Sequence, residues 1–232
     1  MSADAEVIDI QPARRLRVLL LSWEYPPVLV GGLGRHVHAL SVALAAAGHE
    51  VTVVTRHAEG APLEEYADGV RVVRAAEDPV RFPLAPSSLL AWTMAFNHTL
   101  TRAALRATES GSYDVIHAHD WLVAHPAVAL AQFFDVPLVS TIHATEAGRH
   151  SGWVSGSVSR QVHALESWLV RDSDSRITCS ASMRDEISAL FGPELAEISV
   201  IPNGIDTDGW PFAARRAHSG PAELLYFGRL EY

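Results

Sequence analysis

The stretch Leu19-Leu20-Leu21-Ser22-Trp23-Glu24-Tyr25-Pro26-Pro27-Val28-Leu29-Val30-Gly31-Gly32-Leu33-Gly34-Arg35-His36-Val37-His38 decides the fold. With Val18 it opens as an unbroken apolar run, the pattern of a parallel strand buried on both faces. Pro26 and Pro27 lack an amide donor and cannot continue that strand. Gly31, Gly32 and Gly34 carry no Cβ, so the backbone there can approach a ligand closely or take positive φ. From Gly34 onward Val37, Leu40 and Leu44 fall at helical spacing. The reading is strand, glycine loop, helix, with unpaired helix-start amides placed above the strand end, where they suit a phosphate. A plain strand–turn–helix connection, with glycines used only for packing, is the competing reading. Gly-Gly-Leu-Gly lacks the Gly-x-Gly-x-x-Gly spacing, which disfavours a nicotinamide dinucleotide.

Outward from this stretch the same alternation repeats. The first strand covers 16–22, and its helix ends near Ala47, with Gly48 suited to the position after the helix. Further strands are expected over 50–55, 70–74, 113–119, 137–143, 176–179 and 198–201. Helices are expected from Ser87 or Ser88 to Thr108, from Asp120-Trp121 to Phe134, from Ser155 to Asp172, and from Ser180 or Ser182 to Phe191. Segments 57–69 and 144–152 read as loops. Repeated βαβ units predict an α/β fold: a Rossmann-like open parallel sheet with helices on both faces. Ligands in such folds sit beyond the carboxyl ends of the strands. Gly31 to Gly34, His119-Asp120 and His143 all fall there. The expected organisation is a disordered lead-in over 1–15, one domain over 16–209, and a linker with the start of a second domain over 210–232. In that last piece Glu223 to Leu230 begins a strand and a Gly-Arg loop that nothing following buries.

Bulk properties narrow the function. The 232 residues, 48 % hydrophobic and 19 % charged, suffice for a sizeable core in a soluble globular protein. A net charge of −9 argues against a nucleic-acid partner, whose phosphates demand a basic face. All 18 basic residues are arginine. The single cysteine, Cys179, excludes an internal disulfide and fits a reducing cytoplasm. No window has the roughly 20 apolar residues of a membrane span, and the acidic first twelve residues lack the pattern of a signal peptide.

Several residues invite chemistry. His117 and His119, two apart on a strand, share a face and form the best metal-ligand pair, but no third ligand is placed beside them by spacing. His36 and His38, two apart on a helix, do not face each other, so the expectation is no metal. Asp120 suits an N-cap or a carboxylate that orients a ligand hydroxyl, and both can hold. Trp121 offers a stacking face or core packing. Glu24 and Glu146 either contact a ligand or solvate their loops. His143 ends a strand in Ser-Thr-Ile-His-Ala-Thr-Glu, and a structural role is the alternative there.

The segments Ser22-Trp23-Glu24-Tyr25-Pro26-Pro27, Gly31-Gly32-Leu33-Gly34, His117-Ala118-His119-Asp120-Trp121, His143 to Val154 and Trp210 to Arg216 resemble glycosyltransferase family 4 of the GT-B type. The likeness is greatest to its glycogen-synthase-like branch of actinobacterial α-(1→4)-glucosyltransferases of methylglucose lipopolysaccharide and glucan synthesis. It runs from Leu16 onward and covers only the N-terminal half of such an enzyme. It implies a metal-independent, retaining transfer of glucose from UDP-glucose or ADP-glucose to an α-glucan or methylglucose oligosaccharide. In that likeness the loop Gly31, Gly32, Leu33, Gly34 and Arg229 meet the donor's diphosphate. His143 hydrogen-bonds the donor sugar and Asp120 lies in the cleft. Glu24, Trp121 and Glu146 face the acceptor. Leu29 and Val30 stand where glycogen synthases usually carry a lysine, which leaves Arg35 as a candidate for the missing charge. The principal catalytic glutamate of the family would lie beyond Tyr232, so the isolated chain is expected not to turn over. The rival readings are a family 4 transferase for another sugar and acceptor, such as mannose to a lipid, and a non-catalytic carbohydrate-binding fragment.

Overall fold

The computed structural model describes residues 14–76, 84–108, 111–192, 197–205, 207–209, 220–221 and 224–226. Its strands are β1 (Arg17–Leu21), β2 (Glu50–Arg56), β3 (Glu64–Ala67), β4 (Val70–Ala75), β5 (Val115–His119), β6 (Leu138–Ile142), β7 (Ser175–Thr178) and β8 (Ile198–Val200). They form one sheet in the order β3-β4-β2-β1-β5-β6-β7-β8, parallel except for β3. The helices are α1 (Gly32–Ala46), α2 (Leu89–Ala107), α3 (Ala124–Phe134), α4 (Glu146–Arg149), α5 (Gly156–Asp172) and α6 (Ala181–Phe191). Among the described residues no helix is long and apolar enough to cross a membrane.

Alternate residues of β1 enter opposite sides of the sheet. Val18 and Leu20 pack with Val37 of α1, Val51, Val53 and Val72. Leu19 and Leu21 pack with Trp92, Phe96 and Leu100 of α2 and with Ala127 and Leu130 of α3. Both sides are dry, which is why the strand shows no polar alternation. Burying such side chains contributes about 1.5–3 kcal/mol each. Helices on both faces of a mostly parallel sheet match the expected Rossmann-like architecture.

Two expected loops contain regular structure. Segment 64–67 is an antiparallel edge strand, because Asp68-Gly69 makes a two-residue hairpin turn with φ of 51° and 79°. Glu64 pairs with Arg71 at 2.7 Å and Glu65 with buried Arg74 at 2.5 Å across that hairpin. Segment 146–149 is the helical turn α4, whose cap Thr145 accepts the Gly148 amide at 2.8 Å. In addition, residues 121–123 form a 3-10 turn before α3. The expected lead-in lies outside the described residues up to residue 13, and so does almost all of 210–232, including Arg229.

Sheet order places the site. From β1 the chain runs to β2 on one side, and later strands continue from β5 on the other. The switch point therefore lies between β1 and β5, where a crevice opens beyond the carboxyl ends of the strands.

Candidate active site

A cleft of about 780 Å³ occupies that switch point. It is lined by Glu24 after β1, Gly31 to Leu33 at the start of α1, Asp120 and Trp121 after β5, and His143, Glu146 and Arg149 after β6.

Glu24 is 3 % exposed and is not a loop-solvating carboxylate. Its Oε2 accepts the amides of Val30 and Gly31, each at 2.9 Å, and so clamps the glycine loop onto the end of β1. The Gly31 amide is thereby engaged within the chain. The amides of Gly32, Leu33 and Gly34 begin α1 and lack intrahelical carbonyl partners, so they are the ones suited to an anion. None of the three glycines takes positive φ. Gly31 and Gly32 leave open space where a Cβ would stand, whereas a Cβ on Gly34 would meet Leu29 Cδ2 at 2.8 Å and Glu24 Cβ at 3.1 Å. Gly34→Ala is therefore expected to displace the Glu24 clamp and to destabilise the fold by about 1–3 kcal/mol, as overpacking does. Gly32→Ala is expected to be neutral or stabilising by up to about 1 kcal/mol. Urea denaturation of the two variants checks the contrast.

Asp120 is 5 % exposed and sits at φ 62°, ψ 172°, a region that only glycine visits readily. It occupies the residue before the 3-10 turn, but its side chain makes no cap bond there. Instead Oδ1 accepts the His143 amide at 2.7 Å, and the Ala144 amide also bonds the carboxylate. Burial raises its pKa to about 6, against the lowering effect of those bonds.

His143 Nε2 lies 3.1 Å from Nδ1 of His119, which is fully buried. One of the two nitrogens carries the proton, so the pair adopts complementary tautomers. His117 bonds Thr141 Oγ1 at 2.7 Å and stacks on His119 with ring centroids 4.3 Å apart. His36 closes the group, 4.8 Å from the His143 ring. Burial is the main cause that depresses all four, to about 3 for His117 and about 4 for His143. At neutral pH they are uncharged donors and acceptors.

The other expected residues separate. Trp121 is 5 % exposed and belongs chiefly to the cleft floor, while half-buried Trp23 shows more aromatic surface. Glu146 lies near His150 Nε2 (3.3 Å) and Arg149 (4.0 Å). Arg35 is exposed and does not line the cleft, whereas Arg149 does. Arg149 is the residue that sequence reasoning missed, and His36, weighed there only as a partner of His38, instead meets His143. The available signal for Arg149 was its place three residues after Glu146, one helical turn on.

The profile described as Glycosyltransferase Family 4 matches residues 30–209. The chain belongs to glycosyltransferase family 4. Glycogen synthase of Mycobacterium tuberculosis is 64 % identical to this family 4 chain over 228 residues, 94 % of the chain and 55 % of that protein. D-inositol 3-phosphate glycosyltransferase of Kineococcus radiotolerans is 32 % identical over 233 residues, 93 % of the chain and 53 % of that protein. The chain thus spans about half the length of these curated relatives, and its match to the glycogen synthase is to the N-terminal half. Among solved structures, sucrose-phosphate synthase of Thermosynechococcus elongatus superposes with a TM-score of 0.70 at 20 % identity, covering 84 % of this chain and 49 % of that one. That likeness carries the fold, a GT-B glycosyltransferase half.

Beneath the cleft, Glu166 of α5 is 2 % exposed, and its Oε1 accepts the Glu146 amide at 2.8 Å. Burial raises its pKa to about 8. Because the folded pKa stands above the unfolded carboxyl value, rising pH between the two removes stability. Glu166→Gln keeps the acceptor and discards the charge. Its advantage in Tm over the wild type is expected to be near zero at pH 4, to grow with pH and to level off near pH 8. Thermal melts across that range check it, and a constant difference would contradict it.

Proposed function

We propose that this chain is the acceptor-side half of a retaining glucosyltransferase that moves glucose from UDP-glucose or ADP-glucose to an α-(1→4)-glucan. The observation that carries the reading is one bond, Asp120 Oδ1 to the His143 amide, in a cleft whose opposite lip is a glycine loop at a helix start. The 64 % identity to a glycogen synthase supports this substrate class. Leaving of the diphosphate builds negative charge, which the Gly32 to Gly34 amides and Arg149 are placed to stabilise. Arg149 supplies the positive charge that the family's absent lysine would, and Arg229 adds a second by resemblance. Neutral His143 donates a hydrogen bond to the sugar, and the Asp120 carboxylate holds its backbone in register. No residue of this cleft needs a metal for that sequence of events.

A second reading, transfer to a phosphorylated polyol, is favoured by the 32 % identity to the inositol-phosphate enzyme. Competition among UDP-glucose, ADP-glucose and GDP-mannose decides the donor, using the protein at the full length its gene encodes. Anomer analysis of the product by NMR checks retention. Glucose transfer to inositol phosphate but not to maltooligosaccharide would replace the first reading by the second.

A further inference from the structure

His36, His119 and His143 each offer a ring nitrogen, and the three nitrogens lie within 4.8 Å of one another. They come from three separate elements: the second turn of α1, the end of β5 and the residue after β6. Ligands on one tetrahedral zinc sit about 2.0–2.1 Å from the ion, hence about 3.4 Å apart. His119 Nδ1 and His143 Nε2 already stand at 3.1 Å. His36 needs a shift of at most about 1.4 Å toward them, within the reach of a side-chain rotation. The Asn203 side chain bonds His36, the kind of outer partner that orients a ligating imidazole. The charges of Asp120 and Glu24 reach His36 and His143 respectively, which favours a cation.

We infer that His36, His119 and His143 form a three-imidazole site for a borderline divalent cation of the zinc class, beside the cleft that His143 lines. Three nitrogen donors select zinc, cobalt, nickel or copper over magnesium and calcium, which take oxygen. An ion there takes His143 Nε2 away from His119 Nδ1 and so shifts the imidazole that the proposed transfer uses, which hinders the reaction and does not assist it. The hindrance rests on the proposed function; the binding does not.

The test titrates Co2+ into the metal-free chain and reads its visible spectrum. One equivalent giving intense four-coordinate bands is expected, with Zn2+ displacing it and Mg2+ not. Bound Cu2+ is expected to show nitrogen hyperfine structure in EPR. His36→Ala and His36→Gln, checked for folding by circular dichroism, are expected to weaken Co2+ at least about tenfold. His98→Ala, on the exposed face of α2, is expected to leave it unchanged. Co2+ held equally well by both His36 variants, or six-coordinate spectra alone, overturns the site even if the variants misfold. In the full-length protein, Zn2+ is expected to inhibit transfer and a chelator to restore it. Binding without inhibition overturns the hindrance and leaves the site standing.

Discussion

Replacing His143 with alanine is expected to lower the proposed glucose transfer, measured on the protein at the full length its gene encodes, by about 10²–10³ in kcat, the loss seen when one preorganised donor to a developing charge is removed. The imidazole is uncharged at neutral pH, because burial holds its pKa to about 4. It therefore acts through hydrogen bonding, and its contact with His119 fixes which nitrogen carries the proton. Truncation removes that directed bond and strips His119 of its nitrogen partner within the histidine group. KM for the donor is expected to change far less than kcat, since the lost bond strengthens as charge develops. A variant that is folded by circular dichroism and retains more than a tenth of the activity would refute the assignment.

Asp120 gives the second large effect, and three substitutions separate its roles. Asp120→Ala loses the two amide bonds while keeping an unfavourable backbone, so a stability loss of about 2–4 kcal/mol is expected. Asp120→Gly loses the same bonds but relieves the φ of 62°, so it should recover part of that stability. Both should lose transfer by about 10²-fold or more, because a freed His143 backbone misplaces the imidazole. Asp120→Asn keeps an oxygen for the His143 amide and should stay folded. Its pH profile is the sharper readout. The wild-type carboxyl has its pKa raised to about 6 by burial, so transfer should fall as pH drops through 6. The asparagine variant should lack that limb. The sign for stability is opposite: the raised folded pKa means that the wild type loses stability relative to Asp120→Asn as pH rises from about 4 to 6. An unchanged acidic limb in Asp120→Asn would assign the titration to another group.

Much of this molecule was legible before any coordinate. The apolar run from Val18 to Leu21 and the helical spacing after Gly34 carried strand and helix, because each period reflects burial local to one element. The placement of Gly31 to Gly34, Asp120 and His143 at strand ends followed from the same alternation. Asp68-Gly69 is a hairpin signal in the sequence, but the acidic strand before it, Glu64–Ala67, lacks the apolar alternation that would mark a strand. Tertiary structure alone decided the rest. Spacing along the chain paired His117 with His119, yet the group at the cleft joins His36, His119 and His143, which only the strand order β1-β5-β6 brings together. Glu24 reads from sequence as a ligand-facing or solvated carboxylate, and only the folded loop turns it onto the Val30 and Gly31 amides. Local periodicity reports which face of an element is buried; it carries no information on which distant residue meets it there.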